Sequence, residues 1–271
     1  MTIAETEAGE ALQEVLAHAD DPAPFEAERE PLRFSRLKMI GKSPAHFRGA
    51  AGAEGSHLDV GTAAHSLILG GRPVIFYPGP VRRGKAWDEF QAAHDDAIIL
   101  TVREHTIAKR IAESVKSNRD AMRVLEGVRE ETFHWKQMGW KCRGTPDVRG
   151  DGFVTELKTG ETSDPRRFPW KMRNFCYHGQ LAFYSDGMAF AGLEPPREQY
   201  IVAVESVPPF VCTVFRVSPR AIDQGRKLIH LWFETLNACE GAKAWPGYVQ
   251  SVVDLELPGD EFELGDAGDA L

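Results

Sequence analysis

Two short segments of this chain decide its fold, Arg143-Gly144-Thr145-Pro146-Asp147 and Val154-Thr155-Glu156-Leu157-Lys158-Thr159-Gly160. The first closes an apolar segment with an aspartate, and the second places a glutamate and a lysine two residues apart inside another. Alternate residues of a strand leave it on the same face, so Glu156 and Lys158 are expected on one side. A tight turn between the two strands would bring Asp147 to the same end of a sheet. Two carboxylates and an ammonium group at one point suit a divalent cation and a phosphate.

Charge is distributed unevenly along the 271 residues, which carry a formal net charge of −8. Residues 1–30 contain nine acids and one base, and residues 254–271 contain seven acids and no base. The remaining residues, 31–253, hold 31 bases against 24 acids. A basic body between two acidic ends is compatible with binding a polyanion. We predict a single domain over 31–253, an acidic N-terminal arm over 1–30 and an acidic tail over 254–271.

Composition argues against several classes of protein. Hydrophobic residues make up 42% of the chain and charged residues 27%, as expected for a globular protein with a sizeable core. No segment approaches the ~20 apolar residues of a membrane helix, and the acidic N-terminus lacks the features of a secretory signal. The four cysteines form no C-x-x-C pair, which disfavours a zinc site or an iron–sulfur cluster. We therefore expect a cytoplasmic protein with no membrane partner.

The pattern of apolar residues, interrupted by glycine, proline and capping residues, predicts alternating helices and strands. The predicted helices are 35–47, 58–69, 86–94, 102–126, 177–191 and, capped by Ser218, 219–239. The predicted strands are 74–77, 132–135, 141–148, 153–157, 199–204 and 211–217. This order predicts an α/β (α+β) fold with a central mixed β-sheet flanked by helices.

Pro146-Asp147 with Glu156-Leu157-Lys158 resembles the signature of the PD-(D/E)XK nuclease superfamily, which has a restriction-endonuclease-like core. Gly61-Thr62-Ala63-Ala64-His65 resembles the upstream histidine helix of its RecB-like and RecE-like branches. Glu130-Glu131-Thr132-Phe133-His134-Trp135 resembles the glutamate strand before the core motif, and Gln180-Leu181-Ala182-Phe183-Tyr184 matches the Q-x-x-x-Y helix after it. The whole chain is most similar to the exodeoxyribonuclease VIII (RecE-like) nuclease domain of phage and prophage recombination systems.

This resemblance implies a metal site and a role for Lys158, which would position or activate the attacking water. Mg²⁺ is the expected ion, and a histidine ligand would make Mn²⁺ a working substitute. The choice between Glu130 and Glu131 is open from sequence, and we favour Glu131 because strand alternation places it on the face of Phe133 and Trp135. The implied metal ligands are His65, Glu131, Asp147, Glu156 and the backbone carbonyl of Leu157.

The resemblance also implies that Gln180 and Tyr184 face the DNA from a helix beside the sheet. Three basic clusters are candidates for holding the duplex. The third is favoured because it follows the predicted active site directly, and Arg143 of the first quoted segment is expected to contribute as well. The first cluster is Arg33, Arg36, Lys38, Lys42 and Arg48; the second is Arg82, Arg83 and Lys85; the third is Arg166, Arg167, Lys171 and Arg173.

By resemblance, the activity is metal-dependent exonucleolytic digestion of linear double-stranded DNA. Digestion of one strand from its 5′ end would leave a 3′ single strand for recombination by strand annealing. A ring-shaped homo-oligomer on DNA ends and a single-strand annealing partner protein are implied as well. Two alternatives stay open: an endonuclease or repair nuclease module of different polarity on the same fold, and a DNA-binding protein on an inactive nuclease fold. Intact Asp147, Glu156 and Lys158 favour an active enzyme.

Overall fold

The computed structural model describes residues 30–49, 60–249 and 251–255. Most of the predicted acidic arm and most of the predicted acidic tail lie outside the described residues, as do the first two residues of the helix predicted at 58–69. The described helices include none with the length and hydropathy that a membrane span requires.

Strands of the described residues form one central sheet and two small ones. The strands are β1 (Val74–Phe76), β2 (Ile98–Leu100), β3 (Val128–Arg129), β4 (Phe133–Gln137), β5 (Trp140–Gly144), β6 (Val148–Gly150), β7 (Phe153–Gly160), β8 (Glu198–Glu205) and β9 (Cys212–Arg216). The central sheet has the order β3-β6-β7-β8-β9, in which β7 and β8 run parallel and the other neighbours run antiparallel. A parallel pair β1–β2 and an antiparallel hairpin β4–β5 complete the strands.

Helices occupy both ends of the described sequence and the connections between the strands. They are α1 (Phe34–Leu37), α2 (Pro44–Gly49), α3 (Val60–Leu69), α4 (Lys85–Ala93), α5 (Val102–Ser117), α6 (Arg119–Val124), α7 (Phe168–Asn174), α8 (Tyr177–Phe190) and α9 (Pro219–Ala242). The Ser218 side chain accepts a hydrogen bond from the Ala221 amide, so it caps α9 as predicted.

Helices cover both faces of the central sheet because β7 and β8 direct apolar side chains to both sides. On one face, Leu157 and Val202 pack with side chains of α3, α5 and α6. On the other face, Val154, Ile201 and Ala203 pack with side chains of α7 and α8. The fold is therefore mixed α/β, with a central mixed sheet flanked by helices, as the sequence pattern predicts. Even-numbered residues of β7, including Glu156 and Lys158, share the α8 side.

The hairpin β4–β5 is joined to the rest of the fold by aromatic packing and by the start of the described chain. The ring of Phe183, a fully buried residue of α8, lies 4.7 Å from Trp135 of β4 between centroids. Beside β5, the Leu32 amide donates to the Lys141 carbonyl at 2.8 Å, and the Arg143 amide donates to the Leu32 carbonyl at 3.0 Å. This pairing holds the residues after Leu32 beside β5.

Two glycines let α8 approach its neighbours closely. A Cβ atom on Gly225 of α9 would clash with the backbone carbonyl oxygen of His178 in α8. A Cβ atom on Gly187 of α8 would lie 2.7 Å from the indole ring of Trp135. Because neither contact tolerates a side chain, these glycines fix how α8 lies against α9 and β4.

The strand predicted at 141–148 is wrong as a single element. It forms β5 and β6, which belong to different sheets, and residues 145–147 connect them. Pro146 has no backbone N–H to donate to a ladder, which is consistent with a strand ending before it. The break matters for function because it leaves Asp147 at the entry to β6 rather than inside a strand.

Two predicted helices are also divided. The segment 102–126 breaks at Asn118, whose side chain accepts from the Ala121 amide and starts α6. The segment 35–47 forms α1, a 3₁₀ turn at Lys38–Gly41 and α2, and Pro44 occupies the first turn of α2, where a missing N–H costs nothing. Three described elements, β2, β3 and α7, were not predicted.

Candidate active site

Asp147, Glu156 and Lys158 lie together where β6 and β7 meet. The Asp147 amide donates to Glu156 Oε1 at 3.2 Å, and the Leu157 amide donates to Asp147 Oδ2 at 2.6 Å. A backbone amide at the start of β6 therefore binds the carboxylate from β7, and a backbone amide of β7 binds the carboxylate of Asp147. Lys158 Nζ donates to Glu156 Oε2 at 2.7 Å. The structure thus brings together the three side chains that strand periodicity places at one end of a sheet.

His65 of α3 reaches the same cluster from a distant part of the chain. Its Nε2 atom lies 2.9 Å from the Leu157 carbonyl oxygen, and Nε2 must carry the proton because a carbonyl only accepts. Its Nδ1 atom lies 3.8 Å from Asp147 Oδ1. Burial lowers the pKa of His65, against the opposing effect of the Leu157 hydrogen bond, so the ring is neutral at pH 7. The neutral ring then leaves Nδ1 unprotonated, with a free lone pair.

Burial controls the ionisation of the two carboxyl groups. It raises the pKa of Asp147 to about 6, although the positive charge of Lys158 opposes the change. Burial, followed by the negative charge of Asp147, raises the pKa of Glu156 to about 7. Burial would lower the pKa of Lys158, but the two carboxylates outweigh it and the pKa rises. Lys158 is therefore charged at neutral pH, and it compensates the two acids only in part.

Helix α8 supplies polar and aromatic groups to the Lys158 side of the cluster. Gln180 Nε2 donates to the hydroxyl of the buried Tyr184 at 3.2 Å. Burial, together with the nearby charge of Glu156, raises the pKa of that hydroxyl. Lys158 Nζ lies 5.1 Å from the ring centroid of Tyr177, which is within the range of a cation–π contact. Tyr177 was not predicted, and its sequence signal is its place one turn before Gln180 on the same helix.

The two adjacent glutamates before β4 occupy different surroundings. Glu131 is half exposed, and its carboxylate forms an ion pair with Arg149 of β6. The Glu130 amide donates to the Asp147 carbonyl at 3.2 Å, and the Glu130 charge adds to burial in raising the pKa of the Asp147 carboxyl. The strand alternation that favoured Glu131 does not extend to it, since β4 begins only at Phe133. Glu130 is the glutamate whose charge acts on the cluster.

A cleft of about 530 Å³ opens beside Lys158 on the α8 side. Besides Lys158, it is lined by the cationic side chains Arg33, Lys38 and Arg143. No Asp or Glu is among the described residues that line it. Arg33, Lys38 and Arg143, added to the paired Lys158, make this cleft attractive to a phosphate-bearing ligand.

Only some of the residues predicted to hold DNA line this cleft. Arg143 lines the cleft, and Arg33 and Lys38 join it from the first basic cluster of the sequence. The favoured third cluster does not line the cleft. Arg166 is largely exposed and pairs with Asp164 at 2.9 Å, and the remaining members lie at the start of α7 or within it, namely Arg167, Lys171 and Arg173. The sequence did not indicate that the first cluster lies at the cleft, because its position depends on the long-range pairing of Leu32 with β5.

The donor atoms of the cluster fit Mg²⁺. Within 30–49, 60–249 and 251–255, no three His, Cys, Asp or Glu side chains form a preformed metal centre. Mg²⁺ does not need one, because it keeps several waters and uses one or two carboxylates together with substrate phosphates. Asp147 and Glu156 supply two carboxylates whose pKa values are raised chiefly by burial, so a cation beside them would stabilise their charged form. The Leu157 carbonyl keeps a second lone pair, and His65 Nδ1 is a further donor.

Comparison with known proteins places this geometry in a family. The sequence model of the family described as "PDDEXK-like domain of unknown function (DUF3799)" matches residues 34–253. A search of curated proteins finds no match. The crystal structure of a "putative exonuclease" from Eubacterium rectale is similar, with a TM-score of 0.60 and 14% identity over 92% of this chain and 100% of that chain. At this identity the likeness shows a shared fold.

The segment that the family model matches includes all residues of the cluster and of the cleft except Arg33. It also covers the central sheet and the helices on both of its faces. The chain belongs to the family of PDDEXK-like domains of unknown function (DUF3799).

Proposed function

We propose that this protein is a Mg²⁺-dependent exodeoxyribonuclease that hydrolyses phosphodiester bonds of linear double-stranded DNA. The observation that carries the proposal is the convergence of Asp147, Glu156 and Lys158 at the edge of a PDDEXK-like core. The basic cleft beside Lys158 supports a polyanionic substrate. The name of the Eubacterium rectale structure and the RecE-like resemblance support attack at ends rather than within a duplex.

The side chains have distinct parts in such a reaction. Hydrolysis adds water to phosphorus and expels a sugar oxygen, so negative charge grows on the phosphoryl oxygens. When bound, Mg²⁺ would supply Lewis-acid stabilisation of that charge and would make a coordinated water more acidic. Asp147, Glu156 and the Leu157 carbonyl would hold the ion. Lys158 donates one N–H to Glu156 and has two donors left to orient the water or a phosphate oxygen.

The protonation of Lys158 decides which role suits it. An ammonium group cannot accept a proton, and the adjacent carboxylates keep the pKa of Lys158 raised. Its contribution is therefore positioning and charge stabilisation. Its contacts with Glu156 at 2.7 Å and with the Tyr177 ring restrict its rotamers before substrate arrives.

The finer features of the proposal rest on the RecE-like resemblance. We propose 5′-to-3′ polarity, leaving 3′ single strands for a strand-annealing partner in recombination. We also propose a ring-shaped homo-oligomer around the DNA end, a cytoplasmic location and activity with Mn²⁺ in place of Mg²⁺. Light scattering of the purified protein tests the ring, and a monomer in the presence of DNA would contradict it.

The deciding experiment compares two DNA forms. The purified protein is incubated with end-labelled linear duplex and with covalently closed circular duplex, each with Mg²⁺ or with chelator. We expect degradation of the linear form alone, and only with Mg²⁺. Release of a 5′ label as the first product supports the proposed polarity, and first release of a 3′ label contradicts it.

Matched variants make the result specific to the cluster. Asp147→Asn removes a carboxylate charge with little change of shape and should lower cleavage more than about 100-fold. Lys227→Ala removes an exposed cation of α9 and should leave cleavage unchanged. Cutting of the closed circle would replace the proposal with an endonuclease. Binding without any cleavage would replace it with a DNA-binding protein on an inactive nuclease fold.

A further inference from the structure

An aromatic pair forms one wall of the cleft beside Lys158. The rings of Phe175 and Tyr177 stack with a centroid distance of 5.6 Å and an interplanar angle of 17°. Both side chains line the cleft, and Phe175 remains 50% exposed. Cys176 between them has a left-handed backbone, with φ of 57°, at the start of α8. That local geometry presents two neighbouring rings side by side at the cleft.

Packing within the protein accounts for the position of the Tyr177 ring but not for that of the exposed Phe175 ring. Tyr177 packs against the buried Phe168 and faces the ammonium group of Lys158. Phe175 has its stacking contact with Tyr177 but leaves half its surface in solvent, which is unfavourable for an apolar ring. An exposed ring stacked on a second ring that touches Lys158 is a surface on which a flat ligand can extend the stack.

Cationic side chains line the same cleft. Arg33, Lys38 and Arg143 line it, and the charge of Lys38 acts on the Cys176 thiol: burial raises the pKa of that thiol, and Lys38 opposes the rise. Lys38 therefore lies close to the turn that carries the two rings. Arg143 approaches the exposed Glu30 only to 3.9 Å, a weak pair in water. Cations next to an aromatic stack match the two chemical parts of a nucleotide.

We propose that this cleft binds a nucleotide of a single DNA strand, with its base stacked on Phe175 and its phosphates held by Arg33, Lys38 and Arg143. The inference rests on the proposed function and deepens it by placing a frayed strand next to Lys158. An aromatic platform with cations along the backbone is the usual solution for single strands, because every base has a π-face. The 530 Å³ cleft is in the range of small-ligand sites.

The test measures binding without cleavage. A short single-stranded oligonucleotide is titrated with the full chain in chelator, once with 2-aminopurine at its end and once with an abasic end. Stacking on an aromatic ring contributes about 1–3 kcal/mol per base, so the base-bearing strand should bind about 5- to 150-fold more tightly than the abasic one. Quenching of 2-aminopurine fluorescence on binding reports the stack itself.

Variants of Phe175 assign the effect to this ring. Phe175→Leu should abolish the difference between the two oligonucleotides, and Phe175→Tyr should restore it because the ring is retained. Phe190→Leu is the matched control, since Phe190 is an exposed phenylalanine at the C-terminal end of α8. Equal loss of both affinities in Phe175→Leu, or full retention of the difference, would overturn the proposal.

A second arm tests the cations. For single strands, log K falls with log salt by about 0.7 for each phosphate contact. Lys38→Gln should lower that slope by about this amount and weaken both oligonucleotides equally, while Lys227→Gln should not. An unchanged slope in Lys38→Gln would overturn the assignment of the phosphates to this cleft.

The outcomes separate this inference from the nuclease proposal. Stacking in chelator without cleavage in Mg²⁺ would refute the enzyme and retain the nucleotide site. Cleavage in Mg²⁺ with identical binding by wild type and Phe175→Leu would refute the nucleotide site and retain the enzyme.

Discussion

Replacing Lys158 by methionine should destabilise the metal-free protein in a pH-dependent way. The substitution keeps an unbranched side chain of similar length but removes the ammonium group 2.7 Å from Glu156 Oε2. Glu156 is 2% exposed, so the carboxylate cannot turn to solvent when its partner is lost. Removing one member of a buried ion pair costs about 3–5 kcal/mol. For a domain of this size that corresponds to a fall in Tm of roughly 6–20 °C.

The sign of the pH dependence follows from the raised pKa values. When the pKa of a carboxyl group is higher in the folded than in the unfolded state, its protonated form favours folding. This contribution to the free energy of unfolding is complete below the unfolded pKa and is lost as pH rises through the folded pKa. The folded values are about 6 for Asp147 and about 7 for Glu156. Without Lys158 both values rise further. The variant should therefore resemble wild type near about pH 5, where the acids are protonated, and differ most above about pH 8.

Thermal unfolding in chelator at these two pH values measures the effect, and Lys227→Met controls for loss of an exposed charge. We expect a small difference in Tm at the acidic pH and a large one at the alkaline pH for Lys158→Met alone. An equal loss of stability at both pH values would mean that the ammonium group acts by packing. No loss at either would mean that Lys158 does not compensate the buried acids.

Three other substitutions test separate parts of the structure. Tyr184→Phe removes the hydroxyl that accepts from Gln180; cleavage should fall about 10-fold with little change in Tm, and an unchanged rate would remove the hydroxyl from the mechanism. His65→Ala should raise the Mg²⁺ concentration for half-maximal cleavage about 10- to 100-fold, and an unchanged Mg²⁺ titration would exclude His65 as a ligand. Gly225→Ala should cost about 1–3 kcal/mol in denaturant unfolding, because its Cβ meets the His178 carbonyl; a neutral effect would show that α8 and α9 separate easily.

The core of the site was predictable because it depends on local geometry. Glu156 and Lys158 share a face of β7 through strand alternation alone, and their side chains form a hydrogen bond. The position of Asp147 required only that β6 and β7 be adjacent antiparallel strands. The helix cap at Ser218 was also predictable, since the hydroxyl satisfies an amide three residues away.

The surroundings of the site were less predictable because they depend on long-range contacts. No local pattern indicates that Leu32 pairs with β5, and this pairing is what places Arg33 at the cleft. The choice of Glu131 over Glu130 rested on strand alternation before Phe133, and the structure shows no strand there because β4 begins at Phe133. His65 was predicted through the family resemblance, since its contact with Leu157 spans 92 residues.

The proposed reaction requires Asp147 and Glu156 to hold a divalent cation beside Lys158. Anomalous diffraction from crystals soaked in Mn²⁺ locates such an ion without reference to activity. We predict an anomalous peak at ligand distance from both carboxylates and from the Leu157 carbonyl, and no peak there in Asp147→Asn crystals. A strong Mn²⁺ peak elsewhere, with none at these atoms, would contradict the account.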